Sequence, residues 1–149
     1  MLEQCSALAA DYRVGHVGMP LDPAPVRVVE RLSRSLVQVS GWPGSFHAVC
    51  QKLEELLGSP LPQDCRRALT RDDRSVFRVG PERLWLAGPA HDPLPRRIGS
   101  ALPGSEAVIT EIAHSRTVLR ITGPGSCMLL NRGLPIDLDD AVFGPASFA

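Results

Sequence analysis

Residues 36–58 read LVQVSGWPGSFHAVCQKLEELLG, and the fold turns on how that stretch is divided. Leu36, Val37 and Val39 form a short apolar run rich in β-branched side chains, which favours an extended backbone. Ser40-Gly41-Trp42-Pro43-Gly44 breaks it. From there the pattern changes. Phe46, Val49, Cys50, Leu53, Leu56 and Leu57 recur at the 3.6-residue period, one apolar stripe along a helix. Ser45 is the expected N-cap, Gly58 the expected stop, and Pro60 forbids continuation. The stretch reads as a strand followed by an amphipathic helix.

Working outward, a polar link containing Arg66, Arg67, Arg71 and Arg74 leads to a hairpin. Val76, Phe77 and Val79 make one strand, Gly80-Pro81-Glu82-Arg83 the turn, and Leu84, Trp85, Leu86 and Ala87 the return. A second helix is expected over 94–102, where Leu94, Ile98, Ala101 and Leu102 share a face. Val108, Ile109 and Ile112 then read as a strand, and His114-Ser115-Arg116 as a turn. The order is β-α-β-β-α-β, the split βαβ or ferredoxin-like unit of the α+β class, expected over 26–113.

The remainder, 114–149, reads as an incomplete second unit. Val118-Leu119-Arg120-Ile121-Thr122-Gly123-Pro124-Gly125 echoes Leu36-Val37-Gln38-Val39-Ser40-Gly41-Trp42-Pro43. A short helix is expected over 124–132, a link over 136–140, and the beginning of a further strand over 142–149. A half-built sheet exposes an edge, so either a partner supplies the missing strands or the chain continues beyond residue 149. Residues 1–25, with a short helix at 2–10 followed by Gly15, Gly18, Pro20, Pro23 and Pro25, read as an arm or linker.

The composition, over 149 residues with 44% hydrophobic and 21% charged, is that of one globular domain or two small ones. Sixteen basic and sixteen acidic side chains cancel, which argues against a nucleic-acid binder and a polybasic membrane anchor. No apolar run approaches the roughly 18 residues of a membrane-spanning helix, and no secretory leader is expected. Cys5, Cys50, Cys65 and Cys127 are too scattered for a zinc site built from close pairs. Reduced thiols in the cytoplasm are expected, with Cys50 and Cys127 in the core.

Several of these pieces, in this order, resemble the gamma-subunit family of heterotetrameric sarcosine oxidases. The resemblance runs from about Ser35 onward. It is carried by Leu56-Leu57-Gly58-Ser59-Pro60-Leu61-Pro62 and by Val79-Gly80-Pro81-Glu82-Arg83-Leu84-Trp85-Leu86. Leu119-Arg120-Ile121-Thr122-Gly123-Pro124, Gly133-Leu134-Pro135-Ile136-Asp137-Leu138 and Val142-Phe143-Gly144-Pro145 complete it. It implies the T-protein-like superfamily, whose domains are built from ferredoxin-like units. Members of the family run further, and where their tail commonly has Cys this chain has Leu134. The implied role is non-catalytic: to brace the large folate- and flavin-containing subunits of a sarcosine oxidase or a related N-methyl amino acid dehydrogenase. The implied partners are the alpha, beta and delta subunits, which hold FAD, FMN, NAD and tetrahydrofolate. The complex serves sarcosine catabolism and one-carbon metabolism.

The chain's own candidate chemistry is weak, and no catalytic, cofactor-binding or metal-binding residue is expected in it. Gly123-Pro124-Gly125-Ser126 sits where a helix N-terminus cradles phosphate, but Pro124 lacks the N–H donor, so a structural turn is the expectation. Asp137, Asp139 and Asp140 lack the Gly and Glu of a calcium loop and read as a solvated turn. His114 and Ser115 are neighbours in a turn, while His16, His47 and His91 lie near no telling partner. Trp42 reads as a buried plug or an interface anchor, and Trp85 as core. The arginines of 66–74 read equally as a solvated link or as a surface for an acidic partner. Alternatives to the subunit reading are a stand-alone folate-binding T-protein-like protein and a small module that binds an amino acid.

Overall fold

The computed structural model describes residues 6, 8–11, 13–19, 24–31 and 34–149. They form two compact units. One is Ser33–Ser115 with the tail Ala146–Ala149, and the other is Met1–Leu32 with Arg116–Pro145. The division differs from limits of 26–113 and 114–149, because residues 27–30 pair with a strand near residue 120. The expected helix over 2–10 falls largely outside the described residues, and residues 8–11 form a turn. Pro20 and Pro23 of the expected arm also lie outside them.

In the smaller unit β1 (Arg27–Glu30) pairs antiparallel with β7 (Leu119–Thr122). A helix, α3 (Ser126–Leu130), follows β7 after Gly123-Pro124-Gly125. At five residues it is shorter than the expected 124–132.

The larger unit contains β2 (Arg34–Gly41), α1 (Phe46–Leu57), β3 (Ala68–Arg71), β4 (Arg74–Gly80), β5 (Arg83–Pro89), α2 (Leu94–Ala101) and β6 (Ala107–Glu111). Its five strands are all antiparallel, in the order β3-β4-β5-β2-β6. The helix-bearing connections therefore cross over neighbours: from β2 through α1 to β3 the chain passes β5 and β4, and from β5 through α2 to β6 it passes β2. Strand alternation sends Val37, Val39, Val76, Leu84 and Leu86 to one face, where Phe46, Val49 and Leu53 of α1 and Leu94 and Ile98 of α2 cover them. Val39, Val49, Leu53, Leu84 and Ile98 have no exposed surface. Each contributes about 1.5–3 kcal/mol by leaving water.

Local chemistry decides the joints. Ser45 precedes α1 as expected, but its hydroxyl makes no helix-capping bond and donates instead to the Glu106 carbonyl at 2.7 Å. The Glu106 carboxylate also pairs with Lys52 Nζ at 2.7 Å, so this one residue ties both ends of α1's first turns to the start of β6. Gly58 ends α1 in the left-handed conformation, φ 64°, that glycine adopts without strain.

Two sequence expectations are corrected. The link before the hairpin contains strand β3, which pairs with β4 across a tight turn. Asp72 and Asp73 hold φ of 49° and 61° there, a conformation short polar side chains tolerate in two-residue hairpin loops. The expected strand over 142–149 is absent. Residues 146–149 return to the larger unit, where Ala68 N–H donates to Ala146 O at 2.8 Å and Arg67 forms a lone bridge with Ser147.

Asp92 fastens α2. Its carboxylate accepts from Arg74 Nε at 2.7 Å and Nη2 at 3.0 Å, and from the Leu94 amide at 2.9 Å. A Cβ on Gly88 would collide with it. The Asp92 side chain is 1% exposed, and the Arg74 hydrogen bond holds its carboxyl below the usual range. The folded-state pKa thus lies below the unfolded value of about 3.9, so the stabilisation is complete above that value and disappears as pH falls through the folded one. Asp92→Asn is expected to cost about 1–3 kcal/mol at neutral pH in urea unfolding, Arg74 being partly solvated. The difference from the parent chain should shrink on acidification through that window; a pH-independent difference would contradict the assignment.

Candidate functional site

The chemistry-bearing side chains of the larger unit meet beside α1. Phe46, His47, Cys50 and Glu54 fall at i, i+1, i+4 and i+8, so one helix face presents all four to the segment Leu61-Pro62-Gln63 and to the hairpin of β4 and β5. They line a cavity of about 420 Å³ together with Arg78 and Glu82. That volume suits a small molecule. The Arg78 guanidinium lies 5.2 Å from the Phe46 ring centroid, within cation–π range. Its Nη2 donates to Pro81 O at 2.6 Å, and the Leu61 amide donates to Glu54 Oε1 at 2.9 Å. Both charges are thereby engaged in holding the cavity's own walls.

The Cys50 thiol is half-buried, and its pKa is raised. Burial is the main cause; Arg78 pulls the other way, and Glu54 adds to the rise. A thiol held protonated is a poor nucleophile. His47 lines the same cavity three residues before Cys50, but no hydrogen bond joins them, so the histidine does not serve the thiol as a base. The sequence reading leaves His47 without a telling partner. The signal that places it beside Cys50 is the i, i+3 spacing on α1.

The other sequence candidates lie apart. Asp137, Asp139 and Asp140 sit in a loop where the Asp137 and Asp139 carboxylates accept from the amides of Asp139 and Ala141. No group of three or more His, Cys, Asp or Glu is placed to hold a metal among the described residues. In the Gly123 turn, the Gly125 amide donates to Pro25 O at 2.9 Å, and Gly123 takes φ 112°. The amide an anion would need is thus spent on the chain itself. His114 is exposed, and Ser115 Oγ donates to Ile112 O at 2.9 Å. Cys127, expected in the core, is exposed, because five residues of helix offer no buried face. Cys65 is exposed as well, and Cys5 lies outside the described residues.

Trp42, read as a plug or an anchor, is 51% exposed. Trp85 is half-buried, its indole N–H donating to Gln38 Oε1 at 2.9 Å. Among the arginines of 66–74, Arg74 pairs with Asp92 and Arg71 donates to Gly58 O, while Arg66 and Arg67 face solvent.

The apolar surface left open is uneven. Among the described residues, every buried apolar one falls between Leu36 and Ala113, within the larger unit. The smaller unit has none among the described residues, and leaves Val28, Leu119, Met128 and Val142 from 44% to 66% exposed. A two-stranded ribbon is marginal in water without such cover. No described helix is long and apolar enough to cross a membrane.

No protein-family model matches the chain. Over 110 residues, 72% of its length, it is 30% identical to sarcosine oxidase subunit gamma of Arthrobacter sp. Over 93 residues it is 27% identical to the subunit of the same name from Corynebacterium sp. (strain P-1). These alignments take in 53% and 46% of the two proteins, so the chain spans about half the length of the curated relatives it matches. A chain of the heterotetrameric sarcosine oxidase from Corynebacterium sp. U-96, solved with pyrrole 2-carboxylate, shares the fold. Its TM-score is 0.72 at 23% identity, over 82% of this chain and 62% of that one. Aminomethyltransferase T of the glycine cleavage system from Bartonella henselae shares it more distantly, with a TM-score of 0.55 at 18% identity over 76% of this chain and 34% of that one. The chain is a mixed helix-and-sheet protein that shares its fold with these two structures, and it is similar over about half their length to the gamma subunits of sarcosine oxidase.

Proposed function

We propose that the chain works as a non-catalytic gamma-type subunit of a heterotetrameric sarcosine oxidase or related N-methyl amino acid dehydrogenase. It braces the large subunits that hold FAD, FMN, NAD and tetrahydrofolate, and its partners are subunits of the alpha, beta and delta kinds. The observation that carries this reading is the smaller unit: a ribbon and a five-residue helix with exposed apolar side chains and no buried one among the described residues. Such a surface is costly in a free monomer and useful in an assembly. The similarity to named gamma subunits supplies the assembly.

Co-expression with the large flavoprotein subunits is expected to bring the chain out in one complex with them. A monodisperse monomer that ignores those subunits would sink the proposal. The competing reading, a stand-alone folate-binding protein, draws on the fold shared with aminomethyltransferase T. Calorimetric titration of the isolated chain with a reduced folate separates the two: no measurable heat of binding is expected, whereas saturable binding in the micromolar range would favour the competitor.

A further inference from the structure

The five-stranded sheet ends in two unlike edges. At β3 the chain covers its own edge: Ala68 N–H donates to Ala146 O, Phe148 N–H donates to Arg66 O at 2.6 Å, and the Phe148 ring lies 4.9 Å from that of Phe77. At β6 no such cover exists among the described residues. The phase of its ladder with β2 follows from two bonds, Trp42 N–H to Glu106 O and Ile112 N–H to Leu36 O. Residues 106 and 112 therefore turn their backbone groups towards β2, as do Val108 and Thr110 between them, and Ile109 and Glu111 turn theirs away. Nothing in the described chain hydrogen-bonds those outward groups.

Proteins usually protect such an edge with proline, lysine or a bulge. β6 reads Ala107-Val108-Ile109-Thr110-Glu111, in unbroken register with β2, and has none of these. Val108 is 47% exposed, and the strand's one charge is the exposed Glu111. We infer that the outer edge of β6 receives an extended strand from a partner subunit, antiparallel like every other pair in the sheet, with a basic residue opposite Glu111. A second copy of this chain fits less well: two β6 strands paired about Ile109 set Glu111 against Ala107 and provide no basic residue. Backbone hydrogen bonds give such an addition its affinity, and the side-chain pairs its selectivity. The inference rests on the subunit reading, and names the surface by which that reading works.

Hydrogen–deuterium exchange at residue resolution tests it, on the chain alone and in its complex with the large subunits. Alone, the amides of Ile109 and Glu111 are expected to exchange freely while those of Val108 and Thr110 are protected. In the complex, Ile109 and Glu111 should slow by roughly a hundredfold or more. A complex that forms with both amides still fast would overturn the edge pairing and leave the subunit reading intact. Failure to form any complex would overturn both. Protection that grows with concentration of the chain alone would assign the edge to a second copy and so refute a partner strand. Glu111→Pro removes an outward N–H without touching the ladder to β2, and Val108→Lys adds a charge to the same edge. Each is expected to leave the denaturation midpoint of the isolated chain unchanged and to weaken assembly roughly tenfold or more. Unchanged affinity in both variants would refute the proposal.

Discussion

Strand β2 pairs with β5 on one side and β6 on the other and runs directly into α1, and these elements take their places from it. Val37 and Val39 are at most 2% exposed because α1 lies over them and β5 and β6 flank them. A shift of one residue in either ladder would turn both valines to the opposite face and put Gln38 under the helix. That penalty fixes the register of both ladders, and with β2 set between β5 and β6 the connection through α1 passes two strands and that through α2 passes one. Glu106, by holding Ser45 and Lys52, ties α1 to the start of β6.

The same constraint explains why the two units differ. The larger one has a strand buried on both edges and two helices on one face, enough to enclose a core. The smaller one repeats the opening move, a strand running into Gly-Pro and a short helix, but its strand has only β1 beside it. Without further strands the apolar side chains of α3 and β7 have nothing to pack into within the unit. An exposed Met128 or Leu119 is unremarkable singly; together with the lack of any buried apolar residue among the unit's described residues, it leaves the unit's apolar side chains without cover of their own.

How much of this the amino-acid order discloses depends on how strongly one interaction dominates each segment. Helix α1 is legible because six apolar residues repeat at one period and Gly58 ends them; the structure places it at Phe46–Leu57. The β4–β5 hairpin is legible because Gly80-Pro81-Glu82-Arg83 punctuates two apolar runs. β3 is not, because Thr70 and Arg71 look out to solvent and Arg71-Asp72-Asp73-Arg74 resembles a charged linker; only pairing with β4 makes it a strand. β1 is hidden for a related reason: its partner lies some ninety residues away, and although Val118, Leu119 and Ile121 read as a strand, nothing in the local sequence names residues 27–30 as its mate. Cys127 misleads because helical spacing alone assigns it a buried face that a five-residue helix does not have. The cavity is half legible: His47, Cys50 and Glu54 share a helix face by spacing, whereas Arg78 joins them only once β4 is folded beside α1.

The charges that line that cavity are spent within the protein. A reactive site keeps its charges free for a substrate or aims them at a nucleophile. Here Arg78 is bound to the Pro81 carbonyl and stacked on Phe46, and Glu54 is bound to the Leu61 amide. Around Cys50 the two charges act in opposite directions while burial raises its pKa. The polar groups are used to fix loops against a helix, which stiffens the end of the hairpin. The tail adds to that stiffness by covering the start of β3 at Ala68, whereas among the described residues β6 pairs with β2 alone and so presents its outer edge in a fixed register.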